Sequence, residues 1–136
     1  MVERLVLAVV LLALAFAAYQ LLKQRNLQRA AATAAVDPIL DDFKPGIPAI
    51  VYFTTPGCIP CKTQQQPALS RLRTELGENN IQIIQIDAVE NPDAADRWGV
   101  FSAPTTFILD PHGQPREVNH GVADAAKLKR QIELVA

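Results

Sequence analysis

A chain of 136 residues has room for one domain, since a single hydrophobic core usually serves about 100 to 150 residues. The formal charge of −1 is unevenly spread: residues 1–36 hold four bases and one acid, whereas residues 37–136 hold nine bases and thirteen acids, a net −4. So acidic a domain offers no basic patch, which argues against nucleic acid as a partner.

Residues 5–22, LVLAVVLLALAFAAYQLL, carry no charge and one strongly polar residue, Gln20, before Lys23, Arg25 and Arg29 close the run. At 1.5 Å per residue they make a helix of roughly 27 Å, near the ~30 Å of a bilayer core, so they can form a transmembrane anchor. A buried core helix would show a polar face at a 3.6-residue period, and residues 5–18 show none. A cleaved signal peptide is the other alternative. Ala15, Phe16 and Ala17 form a small-x-small site, but the apolar run continues past it and the leading flank, Glu3 and Arg4, is barely basic. Three bases after the span, against Arg4 and the terminal amine before it, favour a cytoplasmic domain by about one charge, so the side of the membrane stays undecided. The expected organisation of this single-pass chain is a flank over residues 1–4, an anchor over 5–22, a linker over 23–36 and a soluble domain over 37–136.

Residues 24–36 are rich in alanine and able to carry the helix out of the membrane. Asp37 and Pro38 then suit the N-cap and first position of a short turn or helix ending near Phe43. Residues 49–53 (AIVYF), bounded by Pro48 and the Thr54-Thr55-Pro56-Gly57 turn, read as a buried strand. Residues 58–76 read as a helix whose inner face carries Leu69, Leu72 and Leu76, with Gly77 as its stop. A second strand over 81–86, a short helix over 92–98 stopped by Gly99, and strands over 105–109 and 115–118 around a type I turn at 110–113 follow. A helix over 123–134 closes the chain, with Leu128, Ile132 and Val135 facing inward. The order β-α-β-α-β-β-α predicts an α/β fold: a right-handed parallel unit, then an antiparallel hairpin, in one central mixed sheet covered by helices on both faces.

The only two cysteines lie at a strand-to-helix junction as Cys58-Ile59-Pro60-Cys61. A helix N-terminus offers unpaired N–H groups and partial positive charge, which favour the thiolate of Cys58. Pro60 needs no N–H in the first turn, and one helical turn brings Cys61 within reach of a disulfide formed at Cys58. A pair of inert core cysteines fits poorly with the Pro-Gly turn before Cys58, which marks an exposed tip. A structural zinc site needs four ligands; one CxxC supplies two, and His112 and His120 could complete the set only if the fold brought both to the cysteines.

Three separated landmarks make the chain resemble the thioredoxin family over about residues 48–136. Residues 53–62 (FTTPGCIPCK) resemble the strand-turn-dithiol segment. Residues 98–109 (WGVFSAPTTFIL) resemble the segment that holds the family's cis-proline, here Pro104, and His120-Gly121 resembles the glycine-containing rim before the last helix. The resemblance implies a thioredoxin-like fold and a thiol–disulfide oxidoreductase, with Cys58 as nucleophile and Cys61 as resolving thiol. It also implies a substrate groove formed by Gly57, Ile59, Pro60, Phe101, Ala103, Pro104 and Gly121. An extended segment would pair there with the backbone at Ala103 as an added strand. The dithiol itself carries the electrons, so no cofactor or metal is expected; the expected partners are protein disulfides or dithiols, met by a monomer held on a membrane. The competing expectation is a membrane-tethered module that binds a metal or a partner without redox turnover.

This chain departs from the family pattern at several positions. Gly57 replaces the usual Trp, Ile59-Pro60 replaces Gly-Pro, and Pro67 lies one residue late in its helix. Tyr52 stands where the family usually buries an acid that deprotonates the second thiol, and a phenol titrating near ~10 is no base at neutral pH. His120 on the groove rim is then a candidate proton acceptor, since imidazole titrates near ~6.5.

Overall fold

The computed structural model describes residues 1–34 and 37–136. Residues 35 and 36, the end of the segment expected as a linker, lie outside the described residues. The first element is one helix, α1 (Val2–Ala34), which contains the whole apolar run and is long and apolar enough to span a membrane. Its apolar side chains, from Leu5 to Leu22, are exposed in the isolated chain.

After a 3-10 turn at Pro38–Leu40 come β1 (Ala49–Thr54), a π-helical turn at Cys61–Gln65 leading into α2 (Gln66–Leu76), and β2 (Gln82–Asp87). Then follow α3 (Pro92–Arg97), β3 (Thr105–Leu109), β4 (Pro115–His120) and α4 (Ala125–Val135). The sheet order is β2-β1-β3-β4, with β1 parallel to β2 and antiparallel to β3, and β3 antiparallel to β4. This is the mixed sheet flanked by helices that the alternation of strands and helices requires.

All six residues of β1 are buried, because the strand is paired on both edges and covered on both faces. The two-residue period of the strand sorts its side chains into two cores. Ala49, Val51 and Phe53 pack with Trp98, Phe107, Leu109 and Val118, where Phe53, Trp98 and Phe107 meet at ring distances of 5.0 to 6.2 Å. Ile50 and Tyr52 pack on the other face with Leu69, Leu72, Leu128 and Ile132, which are the inner stripes of α2 and α4. Gly77 ends α2 at φ +88°, a conformation that costs glycine little and other residues more.

Asp37 links the start of the domain to α3. Its buried carboxylate accepts hydrogen bonds from Trp98 Nε1 (2.8 Å), Arg97 Nε and Nη2 (2.9 and 3.0 Å) and the Ile39 N–H (3.1 Å). The expected N-cap is therefore also the anion of a buried cluster. Burial by itself would raise this carboxyl, but the bonds from Arg97, Ile39 and Trp98 outweigh it and hold the group below its ordinary value.

Two boundaries differ from expectation for identifiable reasons. Strand β4 continues past Val118 to His120, pairing Asn119 with Thr106 and His120 with Thr105. Asn119 disfavours strands in general, but here its amide exchanges hydrogen bonds with Gln131 of α4 (2.8 and 2.9 Å) and donates to Thr106 (3.1 Å). Helix α4 begins at Ala125, not Ala123, because the Asp124 side chain caps it by accepting from the Lys127 N–H at 2.7 Å.

Candidate active site

Strand β1 ends at Thr54, and the chain turns through Thr55, Pro56 and Gly57, the Cys58 N–H donating to the Thr55 carbonyl at 3.2 Å. Cys58 and Cys61 are joined in a disulfide, with their Cα atoms 5.3 Å apart. The two cysteines differ in exposure and in surroundings. Cys58 is 8% exposed and Cys61 is not exposed at all. The Cys61 N–H donates to Cys58 Sγ at 3.2 Å, so a main-chain dipole at the head of the helix points at the outer sulfur. When the bond opens, that donor stabilises negative charge on Cys58 rather than on Cys61.

A groove of about 650 Å³ lies in front of the disulfide. Gly57, Cys58, Ile59 and Pro60 form one wall, and Phe101, Ser102 and Ala103 form part of the other, with Val89 and Pro92 at the far end. Ile59, Val89 and Phe101 are large apolar side chains left exposed around it. The Ala103–Pro104 peptide is cis. Pro104 and Gly121 are not among the residues that border this hollow; they are joined to each other, the Gly121 N–H donating to the Pro104 carbonyl at 2.8 Å.

His120 lies outside this groove. Its ring stacks on the back of Phe101 (centroids 5.1 Å apart, planes at 25°) and faces a separate hollow with Tyr19, Lys23 and Lys127. Asn26 Nδ2 donates to His120 Nε2 at 3.4 Å when the ring proton is on Nδ1. Burial and the nearby Lys23 charge hold the imidazole below its ordinary value.

Tyr52 is fully buried beneath the dithiol, its hydroxyl 3.5 Å from the Cys61 carbonyl. Burial pushes the phenol up, against the opposing pull of the Thr54 and Gln66 side chains, so it is neutral at physiological pH. Among the described residues, no three His, Cys, Asp or Glu side chains gather to hold a metal ion.

One residue of the site gave no sequence signal. Gln65 is fully buried in the π-helical turn, and its amide holds both sides of Ala123: Nε2 donates to the Ala123 carbonyl (3.0 Å) and Oε1 accepts from its N–H (2.9 Å). This ties the dithiol helix to the loop after β4. A π turn holds one residue more than an α turn, so it takes up the one-residue offset of Pro67, which follows it in the first turn of α2.

A family model described as Thioredoxin matches residues 37–134. The thioredoxin of Bacillus subtilis is 40% identical over 57 residues, covering 42% of this chain and 53% of that protein, so this match spans about half of the relative's length. The thioredoxin of Rhodospirillum rubrum is 33% identical over 93 residues, covering 68% of this chain and 86% of the relative. Among solved structures, a mutant thioredoxin from Halobacterium salinarum superposes with a TM-score of 0.62 at 27% identity, over 71% of this chain and 81% of that one. With its dithiol at the start of the helical turns that lead into α2 and a family match over residues 37–134, this chain belongs to the thioredoxin family.

Proposed function

We propose that the protein is a membrane-anchored thiol–disulfide oxidoreductase in which Cys58 is the nucleophile and Cys61 the resolving thiol. The observation that carries this reading is a disulfide beside a groove that Cys58 lines and Cys61 does not, with the Cys61 N–H aimed at the Cys58 sulfur. In the reduced domain, the Cys58 thiolate attacks a partner disulfide, and one partner sulfur leaves as a thiolate that takes a proton from solvent. Cys61 then loses its proton and attacks the Cys58 sulfur, expelling the second partner sulfur as a thiolate that takes up the second proton. Two electrons and two protons pass to the partner, and the Cys58/Cys61 bond forms. The oxidised domain runs the same steps backwards on a partner dithiol.

Gly57, Ile59, Pro60, Phe101 and Ala103 are the groove that receives the partner segment, with Pro104 and Gly121 supporting its floor. Helix α1 is the anchor, a reading supported by its length and by its uncovered apolar side chains. The test is trapping with Cys61→Ser in the full chain. A partner held through Cys58 and released by dithiothreitol is the expected result; no covalent adduct, with Cys58 still reactive to alkylating agents, would sink the reading.

A further inference from the structure

Helix α1 continues past its apolar run without a break, and the turn from Lys23 to Leu27 lies against the domain. Lys23 pairs with Glu117 on β4. One turn on, Asn26 donates to His120, and its Oδ1 lies 3.4 Å from where a Cβ on Gly99 would stand, at van der Waals distance. Leu27 packs against the core cluster that includes Trp98 and Val118. Three consecutive kinds of contact, ionic, polar and apolar, thus fasten this end of the helix to the open edge of the sheet.

This attachment fixes how far the dithiol stands from the membrane. Leu22 is the last apolar residue of the run, and Asn26 is four residues beyond it, about 6 Å along the axis. The polar headgroup layer is of similar depth, since a bilayer of roughly 40 to 45 Å has a hydrocarbon core near 30 Å. His120, bonded to Asn26, therefore lies at headgroup level, and Phe101 is stacked on His120 with ring centres 5.1 Å apart. Phe101 is itself a wall of the dithiol groove and is 78% exposed. Tyr19 and Lys127 face the same hollow as His120, which puts an aromatic ring and an ammonium where membrane interfaces favour them.

We propose that the docked helix holds the groove open at the membrane surface, and that the partner is a disulfide carried in an extended segment of a membrane protein at headgroup level. This rests on the anchored oxidoreductase reading above. The apolar rim of Phe101, Ile59 and Val89 suits such a segment, which enters the groove beside the lipid. A freely soluble disulfide gains nothing from this placement, whereas a partner confined to the same layer meets the dithiol at a raised effective concentration.

The test uses the full chain, reduced, freed of reductant and reconstituted in phosphatidylcholine–phosphatidylglycerol vesicles. Three peptides carry the same two-cysteine disulfide loop: one places it four residues beyond a single transmembrane span, one places it beyond a helical spacer of about 45 Å, and one is soluble. The near loop should be reduced roughly tenfold or more faster than the far one. Lys23→Glu combined with Asn26→Arg should bring the two rates within about twofold while leaving the soluble peptide's rate unchanged. Equal near and far rates in the unaltered chain, or a preference that survives the double substitution, would overturn the placement and leave the oxidoreductase intact. Failure of the reduced chain to reduce any of the three peptides, together with failure of the oxidised chain to oxidise their dithiol forms, would overturn both. A readout independent of turnover and of the double variant is a fluorophore on Phe101→Cys in a chain with Cys58→Ser and Cys61→Ser. Quenching by nitroxide-labelled lipid headgroups is expected, and its absence overturns the placement.

Discussion

At the scale of single residues, the asymmetry of the dithiol has the clearest consequence. Cys58 meets solvent and a main-chain donor, while Cys61 is enclosed by Tyr52 and the second core. After reduction, Cys58 should be alkylated first and at lower pH, which Cys58→Ser and Cys61→Ser chains titrated against iodoacetamide would reveal. Equal reactivity of the two thiols would contradict the geometry. His120 yields a second prediction. Its ring faces Asn26 and the back of Phe101 rather than the groove, so His120→Gln should change the resolving rate on a soluble disulfide by less than about twofold between pH 6 and 8. A larger, pH-dependent slowing would restore the imidazole as the acceptor of the Cys61 proton.

At the scale of elements, Gln65 joins the start of α2 to the loop before α4. Replacing it by Leu keeps the volume but leaves the Ala123 N–H and carbonyl buried without partners. The expected cost is about 1–3 kcal/mol. Thermal unfolding of the full chain in detergent would show it, and hydrogen exchange at Ala123 should rise well before the strands exchange. A Gln65→Leu chain with unchanged melting and unchanged Ala123 protection would mean that the π turn needs no such tie. The sequence shows the stripe of Leu69, Leu72 and Leu76 because hydrophobic periodicity is a local signal. It does not show Gln65, because a glutamine in a helix reads as solvent-facing until its partner, 58 residues away, is brought to it.

At the scale of the whole molecule, Asp37 and Asp110 make stability depend on acid. Burial would raise both carboxyls, but hydrogen bonds and charge from Arg97 in one case and Arg116 in the other, with main-chain N–H donors, hold both below their ordinary values. As pH falls, the unfolded chain therefore takes up protons first. The stabilisation is complete above the ordinary aspartate value of about 3.9 and is lost as pH drops through the lower folded values. Asp37→Ala should remove its share of this acid sensitivity and also leave Trp98 Nε1 buried without an acceptor, at about 1–3 kcal/mol. Chemical denaturation at pH 7 and pH 3 checks both; a variant as stable as the parent at pH 7 would show that the Asp37 cluster contributes nothing net.

The sequence by itself determined the elements that depend on near neighbours. Strand β1 is legible in AIVYF because both its faces are apolar, the dithiol in the spacing of Cys58 and Cys61, and the helix in eighteen uncharged residues. The thioredoxin family was legible in the order of three separated segments. Only the tertiary structure decided which polar residues pair across distance. Asp37 with Trp98, Asn119 with Gln131 and Asn26 with His120 are separated by 61, 12 and 94 residues, respectively. A polar side chain carries no local sign of its partner, since in water it is satisfied anywhere; its pairing becomes specific only where folding removes the water. For the same reason the segment expected as a linker is partly a docked helix. Lys23 and Asn26 read as solvent-facing until Glu117 and His120 are set beside them.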